Sequence, residues 1–75
     1  MIKIEQLIPF MRKGWVAMDK NGEWWWYEIK PEVNDNLLQW MGTEGSTDKI
    51  QDAFDIERAD DWTKSLICIK GKNNE

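Results

Sequence analysis

Three consecutive tryptophans, at positions 24–26, follow the turn-forming segment Asp19–Gly22, which reads DKNG. Asparagine and glycine tolerate the positive φ angles that tight hairpin turns need. The segments on either side, Trp15–Met18 and Glu23–Ile29, are predicted to be the two strands of one hairpin. A tryptophan-rich β-hairpin is therefore the clearest structural unit of this chain.

The loop length of this hairpin decides which side chains share a face, because a one-residue slip moves every side chain to the other face. An odd loop would put Glu28 beside Val16 and Met18, and Asp19 among the other set. We favour the even register, since it separates charge from core better. It gives an apolar face of Val16, Met18, Trp25, Tyr27 and Ile29, and an opposite face of Trp15, Ala17, Asp19, Trp24, Trp26 and Glu28.

A chain of 75 residues makes one domain at most. This length is near the lower limit at which a hydrophobic core is stable without disulfides or a bound metal. Cys68 is the single cysteine, so no intramolecular disulfide forms, and small domains of oxidising compartments usually carry several. We therefore expect a cytoplasmic protein. It shows no signal-peptide pattern and no apolar run of about 18 residues. The domain is predicted over residues 1–70, with 71–75 as a frayed tail.

The remaining segments predict an α+β fold, with a short N-terminal helix packed on a small, mostly antiparallel sheet. Apolar residues at helical spacing predict a helix over Ile4–Lys13, kinked by Pro9 and ended by Gly14. Further strands are predicted at Leu37–Met41 and Leu66–Ile69. Residues 32–36 are predicted to be a polar connection and residues 42–47 a loop. Residues 48–56 are open between helical turns and a strand.

The composition argues against most kinds of chemistry. Histidine is absent and the one thiol lies in an apolar segment, so no Ser–His or Cys–His arrangement can form. The adjacent acids Asp60 and Asp61 would point to opposite faces of a strand, so they are poorly placed to act as a catalytic carboxylate pair. Structural zinc needs cysteine and histidine clusters. The net charge is −4, the wrong sign for binding nucleic acid. We expect no enzyme, no metal, no cofactor, and neither nucleic acid nor membrane as a partner.

Tryptophan is the candidate binding residue. In the even register Trp15, Trp24 and Trp26 project from one face, and exposed apolar patches usually mark interfaces. A chain this short can hardly bury both sides of its sheet. We therefore predict an exposed tryptophan face that binds a protein partner or a second copy. In the alternative, all six rings are packing in an accessory domain. A second candidate surface is the acidic stretch, which could compete for the basic groove of a partner or simply be a solvated face; its members are Asp52, Asp55, Glu57, Asp60 and Asp61.

The order of elements resembles small proteins of phages and prophages. Lys13-Gly14 before Trp15, and Asp60-Asp61 before Trp62, resemble more specifically the phage anti-Thoeris sponge family. That resemblance implies a non-catalytic homo-oligomer that sequesters a cyclic ADP-ribose-type signal between subunits. It implies Trp15 and Trp62 as ligand contacts. Phosphates of such a ligand would need cations, for which Arg12, Lys13 and Arg58 are the candidates.

Overall fold

The computed structural model describes residues 1–70. A short helix, α1 (Ile4–Leu7), continues into a 3-10 turn (Ile8–Phe10), and two more 3-10 turns cover Ile50–Asp52 and Trp62–Lys64. The strands in chain order are β1 (Gly14–Met18), β2 (Trp24–Tyr27), β3 (Glu32–Asn34), β4 (Gln39–Met41), β5 (Thr47–Lys49) and β6 (Ile67–Ile69). The predicted α+β class, a short N-terminal helix with a mostly antiparallel sheet, is confirmed.

The strands form two sheets. The larger one has the order β5-β2-β1-β6 with antiparallel pairing throughout, and the smaller is the β3–β4 hairpin. The predicted third strand at Leu37–Met41 is present as β4, although it pairs with β3 rather than with the aromatic hairpin. The predictions of a polar connection at 32–36 and of a loop extending through Thr47 are wrong, because β3 and β5 occupy parts of those segments.

The register of the β1–β2 hairpin is the odd one. Met18 lies opposite Trp24 and Val16 opposite Trp26. The Asp19 amide donates to the Glu23 carbonyl at 3.0 Å, so Lys20–Gly22 is a three-residue loop. Gly22 closes it with φ of 93°, the left-handed conformation that such loops require at their last position. The even-register prediction is therefore wrong.

Both faces of the larger sheet are covered. On the first face, Val16, Met18, Trp24 and Trp26 pack with Ile4, Ile56 and Ile69. On the second, Ala17, Tyr27 and Trp40 are buried, with Trp15, Trp25, Trp62 and Leu66 partly buried around them. The second layer comes from β4 and from the Trp62–Lys64 turn, which both contact β1. The expectation that one face would stay uncovered is wrong.

The N-terminus closes over the first face. The Ile2 amide donates to the Asp55 carbonyl at 2.9 Å and the Glu57 amide to the Ile2 carbonyl at 2.7 Å, a short parallel bridge between Ile2 and Ile56. Residues 48–56 thus contain the end of β5, the Ile50–Asp52 turn and this bridge. The predicted helix over Ile4–Lys13 ends earlier, at Phe10, and Gly14 begins β1 instead of ending a helix.

None of the helices within residues 1–70 is long and apolar enough to span a membrane. The predicted frayed tail at 71–75 lies outside the described residues.

Candidate functional site

The four tryptophans predicted to bind a partner do not form one surface. Trp24 and Trp26 are only 1% and 4% exposed, in the core of the first face. Their indole nitrogens donate to the carbonyls of Glu57 (3.0 Å) and Arg12 (3.4 Å), respectively. For these two residues the predicted exposed tryptophan face is wrong, because α1 and the segment around Ile56 cover that side of the sheet.

Trp15 and Trp62 are partly buried, beside the second core. Trp15 lies on the opposite sheet face from Trp24 and Trp26, and Trp62 contacts both cores. The Trp62 carbonyl accepts a hydrogen bond from the Trp40 indole nitrogen at 3.0 Å. Both residues therefore help to hold the second layer in place.

Two of the cations considered for phosphate binding are engaged within the protein. The Arg12 guanidinium lies 3.9 Å from the centre of the Trp26 ring and pairs with Asp48 at 3.0 Å. The Arg58 guanidinium donates to the carbonyls of Lys20 and Asn21, at 2.9 and 3.0 Å, and so braces the hairpin turn. Lys13 is exposed.

An apolar groove opens beside the N-terminal helix. Two of its lining residues are exposed phenylalanines, Phe10 with 77% and Phe54 with 43% of its surface exposed. The groove has a volume of about 120 Å³ and is lined by Leu7, Phe10, Met11, Ile50 and Phe54. We call it the Phe10–Phe54 groove. Phe10 lies outside the helical spacing of Ile4, Leu7, Ile8 and Met11, and this misfit is a sequence signal that could have indicated the groove.

Acidic residues lie along the chain beside this groove. Asp52 and Asp55 flank Phe54 closely in sequence, and both are exposed. Asp52 shares Lys49 with Glu23, at 3.5 and 3.1 Å. Asp61, farther along, accepts hydrogen bonds from the Thr63 hydroxyl and amide, which lower the pKa of its carboxyl. Asp61 therefore caps the Trp62–Lys64 turn, while the side chain of Asp55 is exposed.

A second cavity lies where the β3–β4 hairpin meets β2. Its volume is about 160 Å³, and its walls are Asp19, Trp25, Tyr27, Gln39, Trp40, Met41, Gly42 and Thr47. We call it the aromatic cleft. The Trp25 indole nitrogen is buried without a hydrogen-bond partner among residues 1–70. The odd register creates this cleft, since it places Asp19 on the same face as Trp25 and Tyr27.

Asp19 is a buried carboxylate, 7% exposed, in the wall of the cleft. Its Oδ1 accepts a hydrogen bond from the Trp40 amide at 2.8 Å. Burial raises the pKa of this carboxyl, the Trp40 amide opposes that rise, and the nearby Glu23 charge adds to it. Burial, together with the Asp19 charge, also raises the pKa of Tyr27. The cleft thus combines aromatic side chains with an incompletely compensated negative charge.

Asp19 is expected to make stability depend on pH. Because its pKa is raised in the folded state, its ionisation penalty is absent below the unfolded-state pKa and grows as pH rises through the folded-state pKa. Asp19→Asn keeps an oxygen for the Trp40 amide and removes the charge. In urea denaturation across pH 3–8, the variant should gain stability relative to the wild type as pH rises. A difference that does not change with pH would contradict this.

Comparisons of this chain with family models, curated proteins and solved structures found no match. Among residues 1–70, no group of three or more histidine, cysteine, aspartate or glutamate side chains is placed to hold a metal ion. The Phe10–Phe54 groove and the aromatic cleft are the features from which function can be inferred.

Proposed function

We propose that this protein is a non-catalytic binding module that holds an apolar segment of a partner protein in the Phe10–Phe54 groove. The observation that supports this most strongly is the 77% exposure of Phe10 within a groove whose lining residues are all apolar. Single exposed apolar side chains are common, but aromatic rings grouped around an apolar depression are typical of interfaces. We therefore propose that Phe10 and Phe54, and not the tryptophans, make the contact with a protein partner.

The charge near the groove favours a basic partner. Asp55 directly follows Phe54 in the chain, Asp52 lies two residues before Phe54 and pairs with Lys49, and the whole protein has a net charge of −4. In a symmetric dimer built on this groove, each copy would bring the same acidic residues to the contact, and like charges in contact are destabilising. A segment from another protein, with apolar anchors flanked by lysine or arginine, complements both the apolar lining and the net negative charge of the protein.

The groove's shape suggests how that segment binds. One wall is α1 with the Ile8–Phe10 turn, and the other is the Ile50–Asp52 turn with Phe54. A volume of about 120 Å³ has room for only one or two side chains. An amphipathic helix that inserts anchors spaced by one turn fits such a groove.

Selection from a random peptide library tests this proposal. The wild type is the bait, and Phe10→Ala and Phe54→Ala are the counter-baits. We expect enriched peptides to carry paired apolar anchors with lysine or arginine, and to bind the two variants at least about tenfold more weakly, or about 1.4 kcal/mol. Phe10→Ala should change stability by no more than about 0.5 kcal/mol, because its side chain is mostly in solvent.

Leu37→Ala is the matched control, because Leu37 is an exposed apolar residue that does not line the groove. It lies in the loop between β3 and β4. It should leave peptide affinity unchanged. The proposal fails if Leu37→Ala weakens binding as much as Phe10→Ala does, or if the enriched peptides are acidic. Sedimentation equilibrium tests whether a second copy of the protein occupies the groove instead. If the free protein self-associates and Phe10→Ala abolishes that association, the groove is a dimer contact.

The other functional hypotheses stay predictions. A sponge that sequesters a nucleotide-derived signal would need cations that bind phosphate. Arg12 and Arg58 are poor candidates for this role, because both guanidinium groups already bind partners within the protein. The aromatic cleft is also too small for a dinucleotide within one chain, so an oligomer would be needed. Burial of Trp24 and Trp26 supports a packing role for those rings. Phage or mobile-element origin and a cytoplasmic location also stay predictions.

A further inference from the structure

We propose that the aromatic cleft binds a small organic cation, such as a methylated ammonium group. The cleft brings the buried carboxylate of Asp19 together with the aromatic residues Trp25, Tyr27 and Trp40. This site lies away from the Phe10–Phe54 groove and shares no residue with it, so the two proposals stand or fall separately.

The charge of Asp19 is the first reason. Within residues 1–70 the ion pairs involve Arg12 and Lys49, and none includes Asp19. The one hydrogen bond that its carboxylate makes within those residues, from the Trp40 amide, uses Oδ1. A buried carboxylate without a cationic partner is costly. A cation that binds in the cleft would supply the missing positive charge next to the Asp19 carboxylate.

The aromatic walls are the second reason. The faces of tryptophan and tyrosine rings attract cations, and several rings around one cavity are the usual means of recognising quaternary ammonium groups. Tyr27 and Trp40 are buried, and the Trp40 ring is anchored by its indole hydrogen bond to the Trp62 carbonyl. Anchored side chains lose little freedom when a ligand binds, which favours affinity.

The composition and size of the cleft narrow the ligand class. Calcium takes six to eight oxygen ligands and favours several carboxylates, whereas the cleft offers one carboxylate, with Gln39 and Thr47 as its other polar side chains, so a metal ion fits poorly. The volume of about 160 Å³ exceeds the roughly 30 Å³ that one water occupies, but lies below the roughly 300 Å³ of pockets for drug-sized ligands. A compact head group such as trimethylammonium matches that size.

Titration with choline tests the site, with 3,3-dimethylbutanol as a neutral molecule of the same shape. The readout is the set of indole N–H signals in a two-dimensional ¹H–¹⁵N NMR spectrum, assigned by single Trp→Phe variants. Choline should shift the signals of Trp25 and Trp40 in a saturable way, while the signal of Trp24, on the other sheet face, stays in place. The neutral molecule should bind at least about tenfold more weakly.

Asp19→Asn is the decisive variant, because it preserves the acceptor for the Trp40 amide and removes only the charge. It should lower choline affinity at least about tenfold while the remaining spectrum shows a folded protein. Phe10→Ala, at the distant groove, should leave choline binding unchanged. The proposal is overturned if choline produces no saturable shift, if the neutral molecule binds equally well, or if Asp19→Asn binds choline like the wild type.

Discussion

Trp24→Ala is expected to leave much of this protein unfolded at room temperature. Trp24 is 1% exposed, and its indole nitrogen donates to the Glu57 carbonyl. Truncating a buried tryptophan to alanine costs about 3–5 kcal/mol, since apolar contacts are lost and a cavity remains. A domain of this size has a net stability of only about 3–5 kcal/mol. Circular dichroism during urea titration should show a midpoint near zero denaturant.

Two variants calibrate this result. Trp24→Phe keeps most of the ring in the core but removes the indole donor, so it should lose about 1–3 kcal/mol and remain folded. Phe10→Ala removes an aromatic ring that is mostly in solvent and should be close to neutral. If Trp24→Ala is no more destabilising than Phe10→Ala, the first core is not organised around this ring.

Gly14→Ala is expected to destabilise the fold by overpacking, where Trp24→Ala does so by leaving a cavity. A Cβ atom at Gly14 would lie 2.6 Å from the Tyr27 carbonyl oxygen and 2.6 Å from the Trp26 indole nitrogen. The first is backbone and the second belongs to a buried ring, so neither can move without disturbing the β1–β2 pairing. Overpacking of this kind costs about 1–3 kcal/mol. Thermal unfolding followed by tryptophan fluorescence should show a clear drop in Tm.

Gly42→Ala is the matched control for this change. Its added methyl would lie 3.1 Å from the Thr47 Cγ2 and 3.4 Å from the Tyr27 ring, where a side-chain tip can give way. The loss of stability should therefore be much smaller than at Gly14. Equal losses at the two positions would show that general glycine effects, rather than contact with Trp26 and Tyr27, explain the result.

The elements that the sequence predicted well are those with strong local patterns. The hairpin around the Asn21-Gly22 turn and the terminal strand near Cys68 both appear, each with slightly different ends. The strands that were missed, β3 and β5, are three residues long and mostly polar. They lie at sheet edges, where backbone pairing supplies most of the contact, and so they show no apolar alternation that a sequence pattern could detect.

The candidate sites were harder to predict for a related reason. The even register separates charged from apolar side chains, which matters only if one face of the sheet is exposed to solvent. Once β4 and the Trp62–Lys64 turn cover the second face, that criterion no longer distinguishes the registers. The Asp19 carboxylate could then be buried because the Trp40 amide meets it. The Phe10–Phe54 groove was missed since it is made by two segments some forty residues apart.

The sequence alone determined that this chain forms a tryptophan-rich antiparallel hairpin in an α+β fold, because turn residues and strand composition act locally. Only the tertiary structure decided which rings are hidden, that both sheet faces are covered, and that Phe10, Phe54 and Asp19 line the candidate sites. Those outcomes depend on contacts between segments distant in the chain. Their free energy comes from packing and burial that no local pattern records.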